Sequence, residues 1–344
     1  MNILSIESSC DETACAVVKD GVEILAHTIA SSKDFHEVTG GVVPEVAARK
    51  QLEAITPVIE QTLTKFYGGI LKRNGEGIDV VAVTIGPGLI GSLIVGIEAA
   101  KVLSLVWNKP LVPVNHLLGH IYANFIENND EGKKENKEIR FPSVALLVSG
   151  GHTDLIFIRG HGDFEYIGGT LDDAAGEAFD KTARLLGLSK YLGGVLLSKK
   201  AAECSHNVLS GFLPRPMINE DNFDFSFSGL KTAVKRLVEN NNYPVDAVSC
   251  EFENAVCDVL VHKTMKAVKK YEAKSLLLGG GVAANRQLRA RLKEECENLN
   301  TDFFVPPAEL CTDNAIYIAS AAYFNFKPKK IEDVIANPSL GIMD

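Results

Sequence analysis

His116 and His120 stand four residues apart in the run Pro113-Val114-Asn115-His116-Leu117-Leu118-Gly119-His120-Ile121. On a helix this spacing puts both imidazoles on one face, about one turn apart, where they can grip one metal ion. Chance or plain surface polarity produces the same spacing. Leu117 follows His116, so the glutamate that a His-Glu-x-x-His protease uses as general base is missing. A third ligand must come from elsewhere in the chain. Asp313, in Leu310-Cys311-Thr312-Asp313-Asn314-Ala315 ahead of an apolar helical run to Phe324, is open to that role. It reads equally well as a first-turn carboxylate that satisfies backbone N–H groups.

Glycine-rich turns form the second candidate chemistry. Ser149-Gly150-Gly151 and Gly279-Gly280-Gly281 each follow an apolar run, where backbone N–H groups can approach phosphate or carbonyl oxygens. Neither fits the P-loop pattern or the dinucleotide fingerprint, and either could be a simple tight turn. Asp180, in Glu177-Ala178-Phe179-Asp180-Lys181, could accept ribose hydroxyls or pair with a lysine on a helix. Asp11 and Glu12 fall in the first hairpin turn, a place that favours exposed acidic residues.

The elements that must position these residues follow from hydrophobic patterning. Residues 3–6, 14–18 and 23–28 read as a three-stranded meander. Residues 43–63 show helical periodicity, with Pro44 in the first turn and Val46, Ala47, Leu52, Ile55 and Ile59 on one side. The apolar strand 79–85 breaks at Gly86-Pro87-Gly88 and enters a helix over 89–107, a βα unit. Residues 128–140 are a charged connecting loop. The layout then restarts. A strand at 144–148, the turn 149–153 and a strand at 154–159 repeat residues 3–18, and the strand 275–278, Gly279-Gly280-Gly281 and a helix over 283–296 repeat residues 79–107. The expected fold class is α/β, a duplicated two-lobe architecture with a central interlobe cleft of the actin and sugar-kinase (ASKHA) type. The expected lobes are residues 1–127, with a C-terminal segment near 315–344 packing back on them, and residues 141–314.

Composition sets limits. The 344 residues carry 35 Lys plus Arg against 44 Asp plus Glu, a net charge of −9, which argues against a generic basic nucleic-acid binder. The longest apolar run, residues 88–107, is broken by Glu98 and Lys101, which a membrane span rarely accepts. No membrane association is expected. Seven scattered cysteines without a Cys-x-x-Cys pair, and a first strand that leaves no room for a targeting segment, point to the cytoplasm.

Taken together, several segments carry a specific resemblance. They are residues 7–13 (Glu7-Ser8-Ser9-Cys10-Asp11-Glu12-Thr13), Gly40-Gly41-Val42-Val43-Pro44-Glu45, Gly86-Pro87-Gly88-Leu89, the 116–120 histidine pair, Leu147-Val148-Ser149-Gly150-Gly151-His152-Thr153, residues 172–181, Phe225-Ser226-Phe227-Ser228-Gly229-Leu230-Lys231-Thr232, residues 279–285 and Cys311-Thr312-Asp313-Asn314. Over nearly its whole length the sequence resembles the TsaD family of tRNA threonylcarbamoyltransferases, and its bacterial branch in particular. The resemblance implies transfer of the threonylcarbamoyl group from threonylcarbamoyl-AMP to N6 of the adenosine 3′ of the anticodon, in tRNAs reading codons that begin with A. It implies that His116, His120 and Asp313 hold one divalent metal, Fe2+ or else Zn2+, and that Leu147, Val148, Ser149, Gly150, Gly151, Asp180, Gly193 and Asn285 line the adenylate site. Relatives outside bacteria carry a tyrosine metal ligand where Leu147 stands.

The loop Tyr191-Leu192-Gly193-Gly194-Val195 departs from the family at Leu192 and Val195, where proline is usual; this puts the place of Gly193 in question. Asp11 and Glu12 are the candidate catalytic groups near the incoming amine. The expected partners are tRNA, a TsaB-like paralogue and a TsaE-like ATPase, which would supply the tRNA-binding surface that an acidic chain lacks. A small-molecule phosphotransferase of the same superfamily has no need of the three metal ligands. A non-catalytic scaffold paralogue would be expected to lack them.

Overall fold

A computed structural model describes residues 1–32, 35, 41–72, 74–127, 138–205, 208–240 and 243–344. Gly40 and residues 128–137 of the charged loop lie outside the described residues. The chain forms two compact units, Met1–Asn136 with Pro306–Asp344, and Lys137–Val305. Its return to the first unit comes at Pro306, ahead of the crossing near 315 expected from the sequence. Asp313 therefore belongs to the same unit as His116 and His120.

The first unit opens with β1 (Asn2–Glu7), β2 (Glu12–Lys19) and β3 (Glu23–Ser31), paired antiparallel in sequence. After α1 (Pro44–Phe66) come β4 (Val80–Gly86), α2 (Ile90–Trp107), β5 (Leu111–Asn115) and the short α3 (His116–Tyr122). The sheet order is β3-β2-β1-β4-β5, with β4 parallel to both β1 and β5. β1 and β2 are buried on both faces, as their near-continuous apolar sequence requires. One face is sealed by Ile55, Val58, Ile59 and Leu63 of α1 with Leu93, Ile97, Ala100 and Trp107 of α2, packed on Leu4, Ile6, Cys15, Val17, Val81 and Val83.

In the second unit, β6 (Ser143–Val148), β7 (Thr153–Gly160) and β8 (Asp163–Gly169) form the corresponding antiparallel meander. They are followed by α4 (Ala175–Leu185), α5 (Gly194–Ala201), α6 (Ser228–Asn240), α7 (Val245–Lys270), β9 (Ser275–Gly279), α8 (Arg286–Asn298) and β10 (Asp302–Phe304). Its sheet order, β10-β9-β6-β7-β8, is that of the first unit strand for strand. The duplication read from the sequence is thus a duplication of topology. The chain ends in the first unit with α9 (Ile316–Phe324), which packs against β1, β2 and α3.

Two details depart from the periodicity. Leu52 does not join the buried side of α1 but is 67% exposed, while its neighbour Gln51 is buried. The Gln51 amide donates to the Cys10 and Glu12 carbonyls at 2.8 and 2.9 Å and accepts the Thr13 hydroxyl at 2.8 Å. Hydrogen bonding, not apolarity, therefore sets which residue of α1 faces the β1–β2 turn. The helix after Gly279-Gly280-Gly281 begins at Arg286, not at 283, because residues Gly281–Ala284 form a 3-10 turn and Asn285 accepts the Leu288 N–H as cap.

α2 is the one described helix long and apolar enough to cross a membrane. Its Leu93–Trp107 side lies in the core described above, and its Lys101 pairs with Glu98 at 2.9 Å.

In β7, Asp154 accepts the Tyr166 hydroxyl at 3.4 Å, yet burial outweighs that bond and pushes its carboxyl up to about 6. A carboxyl raised above its unfolded value of about 3.9 holds its proton more tightly when folded, so its contribution to stability falls as the pH rises from about 4 to about 6. Asp154→Asn is expected to melt a few degrees above the unmodified chain at about pH 8, with the gain shrinking as the pH falls toward about 4. A gain independent of pH in calorimetry would contradict this assignment.

Candidate metal centre and glycine turns

The candidate metal centre is built from three segments. β5 ends at Asn115, whose side chain accepts the Leu117 N–H at 2.9 Å and donates to the Gly341 carbonyl at 2.7 Å. That cap starts α3 at His116 and puts His120 one turn along, with the rings 4.7 Å apart and close to perpendicular. Asp313 comes from the segment ahead of α9. Asn314 accepts the Tyr317 N–H at 3.3 Å, so the turn is closed by Asn314. The Asp313 Oδ1 atom lies 3.5 Å from Nε2 of His116 and 3.5 Å from Nε2 of His120.

Among the described residues these three form a group that could hold a metal ion, with ligand atoms all within 4.8 Å of one another. The separations of 3.5 Å exceed an ordinary N–H···O bond of about 2.9–3.0 Å. They are close to the ligand-to-ligand edge of about 3.3 Å that follows from tetrahedral metal bonds of about 2.0–2.1 Å. The buried Nδ1 of His120 has no hydrogen-bond partner among the described residues. An imidazole pair whose two Nε2 atoms converge on one carboxylate oxygen suits a divalent cation.

Burial and charge divide the two histidines. Burial alone would lower His116, but the carboxylates of Glu7 and Asp313 outweigh it and raise the imidazole to about 9. Glu7 is lowered in turn: burial opposes its charge, and His116 more than compensates. His120 is lowered, by burial first and then by the neighbouring His116, despite Asp313.

Asp11 and Glu12, in the first hairpin turn, are both buried. Asp11 accepts the Cys10 thiol at 3.2 Å, and Glu12 lies close enough for its charge to favour the protonated His116. Burial and then Asp11 push the Cys10 thiol far up, which disfavours the thiolate.

In the second unit the glycine-turn residues are joined in a ring. The Ser149 carbonyl accepts the Gly176 N–H at 3.2 Å, which ties the β6–β7 turn to the start of α4. Asp180 on α4 accepts the Gly194 N–H at 2.8 Å at the start of α5, while Lys181 takes Asp173 and Glu177. Burial raises Asp180, offset in part by that Gly194 N–H. Ser198 on α5 accepts from Asn285, which also donates to Glu253 at 2.6 Å. Gly280 closes the ring: at φ +90° it lies so near β6 that a Cβ would meet the Val148 carbonyl at 2.3 Å.

Gly150, Gly151 and Gly281 have open space where a Cβ would stand. Leu147 and Val148 are fully buried strand residues that frame the turn. Gly193 is required by contact, because a Cβ there would meet that of Ala183 at 2.4 Å. Leu192 adopts φ +49°, a conformation closed to proline.

The chain matches the family described as TsaD, tRNA N6-adenosine threonylcarbamoyltransferase, over residues 23–320. It belongs to that family. The tRNA N6-adenosine threonylcarbamoyltransferase of Bacillus subtilis is 48% identical over 334 residues, covering 95% of this chain and 91% of its own. That of Dehalococcoides mccartyi is 48% identical over 345 residues, 99% of each chain. Among solved structures, HypF of T. kodakarensis superposes with a TM-score of 0.62 at 14% identity, covering 93% of this chain and 47% of that one. Component A of (R)-2-hydroxyglutaryl-CoA dehydratase from Acidaminococcus fermentans gives 0.51 at 16% identity, with 93% and 96% covered. At such identities the likeness is one of fold, and the fold is the ASKHA type in two mixed α/β units.

Two residues of this TsaD-family chain went unnoticed in the sequence as parts of the centre. Glu7 ends an otherwise apolar strand, and a carboxylate there must find buried partners. Tyr317 stands four residues after Asp313 in a helix of small and aliphatic residues. Its ring packs 4.8 Å from that of His120, and its hydroxyl donates to Asp313 at 3.4 Å.

Gly119 makes room for the Tyr317 ring: a Cβ would stand 2.5 Å from it. Gly119→Ala should therefore cost about 1–3 kcal/mol of stability by overpacking and lower the metal content of the purified protein. Unchanged melting temperature and unchanged metal content by elemental analysis would show that this contact does not hold the centre.

Proposed function

We propose that the chain transfers the threonylcarbamoyl group of threonylcarbamoyl-AMP to N6 of the adenosine 3′ of the anticodon in tRNAs reading codons that begin with A. The observation that carries this reading is the convergence of His116, His120 and Asp313 in a chain that matches the TsaD family over residues 23–320. A phosphotransferase of the same fold has no use for such a triad, and a scaffold has no reason to retain it.

In this reaction N6 attacks the carbamoyl carbon, the bond from that carbon to the phosphate oxygen breaks, AMP leaves and a proton departs from N6. The acyl adenylate is already activated, so positioning and stabilisation of developing charge are what the protein must add. His116, His120 and Asp313 would hold a divalent ion, Fe2+ or Zn2+. Such an ion, when bound, supplies Lewis-acid polarisation of a substrate oxygen.

The backbone of Ser149, Gly150 and Gly151, framed by Leu147 and Val148, is suited to the adenylate phosphate. Asp180, Gly193 and Asn285 complete that site, with the carboxylate of Asp180 available to sugar hydroxyls. Asp11 and Glu12 are the proposed polar groups for the incoming amine and its proton, and Glu12→Gln is expected to lower turnover more than about threefold.

Binding of tRNA by this chain alone is expected to be weak. Of the basic clusters, Lys263 is buried and donates to the Asn222 carbonyl and side chain, Lys266 pairs with Asp221 at 2.7 Å, and Arg291 pairs with Asp258 at 2.5 Å. A TsaB-like paralogue and a TsaE-like ATPase would complete the surface. The exposed stripe Ile90, Ile94, Val102, Leu105 and Val106 along α2 is suited to a helical protein partner. A cytoplasmic setting without membrane contact fits the free cysteines.

The test is transfer of radiolabelled threonine to unmodified tRNA, with threonylcarbamoyl-AMP supplied and both partners present. Label is expected with the unmodified chain and none with His116→Ala/His120→Ala. Absence of label from the metal-loaded chain with its partners would contradict the proposal. Filter binding should show tRNA retained far better by the assembled proteins than by this chain alone; tight binding by the chain alone at physiological salt would contradict the need for partners.

A further inference from the structure

We propose that Glu7 is the positioning residue that orients His116 as a metal ligand; the inference rests on the metal reading of the His116, His120 and Asp313 group. Glu7 is the last residue of β1 and has no exposed surface. Its Oε1 accepts the Ser9 N–H at 2.6 Å, its Oε2 accepts the Thr84 hydroxyl at 2.5 Å, and the same Oε2 lies 3.0 Å from Nδ1 of His116. Three segments, the β1–β2 turn, β4 and the start of α3, therefore meet on one carboxylate.

The consequence for His116 is a matter of donors and acceptors. A carboxylate only accepts, so the facing Nδ1 must carry a proton. Nε2 is then the nitrogen left to donate its lone pair, and Nε2 is the atom that faces Asp313. In the opposite tautomer, the Nδ1 lone pair would oppose the carboxylate, with a proton where the ion belongs. His120 has no such support, since its Nδ1 lacks a hydrogen-bond partner among the described residues. His116 is thus the anchored ligand of the pair and His120 the adaptable one. The Ser9 hydroxyl, 3.4 Å from the same Nδ1, is a longer and weaker alternative partner.

Glutamine cannot replace Glu7 in this role. Three donors converge on the carboxylate: the Ser9 N–H, the Thr84 hydroxyl and the His116 Nδ1–H. An amide offers one oxygen, and its NH2 would have to face at least one of the three. Thr84 gives the matched control, because Thr84→Val removes a donor to Glu7 and leaves the contact with His116 in place.

The experiment measures Zn2+ affinity by chelator competition on the full chain, for the unmodified protein, Glu7→Gln and Thr84→Val. The melting temperature of each metal-free protein is recorded alongside. Glu7→Gln is expected to bind Zn2+ about 10–100-fold more weakly, with Thr84→Val within about threefold of the unmodified protein. Equal affinity in Glu7→Gln, or a loss in Thr84→Val as large as in Glu7→Gln, would overturn the inference. Failure of the unmodified chain to bind Zn2+ would overturn the metal reading and the inference with it.

If Glu7→Gln does not fold, long-range nitrogen–proton NMR of the unmodified Zn2+-loaded chain decides the point. The inference requires His116 with its proton on Nδ1 and the ion on Nε2. The reverse arrangement would overturn it.

Discussion

A charged carboxylate taken out of water must be met by donors and by opposite charge, or the fold loses several kcal/mol. The N-terminal turn of this protein buries three carboxyl-bearing residues within six positions, Glu7, Asp11 and Glu12. Much of the first unit is arranged to satisfy them. β4 contributes Thr84, α3 contributes His116, and α1 contributes Gln51, which binds the carbonyls on either side of Asp11. The end of the chain fastens the same neighbourhood from the other direction. The Asn337 N–H donates to Ile85, the Gly88 N–H to Pro338, and the Asn115 side chain to Gly341. Local polarity, long-range topology and the centre are therefore one constraint seen at three scales.

The repeated sheet order carries different chemistry in its two copies. In the first unit, the turn after the opening strand is acidic and buried, beside the group of His116, His120 and Asp313 that could hold a metal ion. In the second, the corresponding turn holds Gly150 and Gly151, with open space where side chains would stand. The residues that fill equivalent turns, not the sheet itself, thus set the character of each unit.

Much of this was legible in the sequence, for reasons that particular residues make plain. The strands were readable because their burial is two-sided and their runs are apolar; the duplication was readable because Gly86-Pro87-Gly88 and Gly279-Gly280-Gly281 interrupt matching patterns. The histidine spacing suggested a cation site, and the family resemblance named Asp313 as its third member. Pattern failed where polar contacts override apolarity. Leu52 has the right period for burial, yet Gln51 takes the inner position because two carbonyls of the β1–β2 turn require a donor. Glu7 escaped notice because its meaning depends on Thr84 and His116, both distant in sequence. Tyr317 escaped because its packing depends on the absent side chain of Gly119. The missing prolines at Leu192 and Val195 put the place of Gly193 in question, but Leu192 takes φ +49°, closed to proline, and Gly193 is required by its contact with Ala183.

The proposed function requires that an ion at His116, His120 and Asp313 be needed for transfer to tRNA. It is tested most directly by adding Fe2+, without oxygen, to metal-free protein in the presence of partners, threonylcarbamoyl-AMP and tRNA, and following the initial rate of labelling against ion added. The rate is expected to rise in proportion to the ion and to level at a single equivalent per chain. A full rate in protein from which a chelator has removed the ion would contradict it.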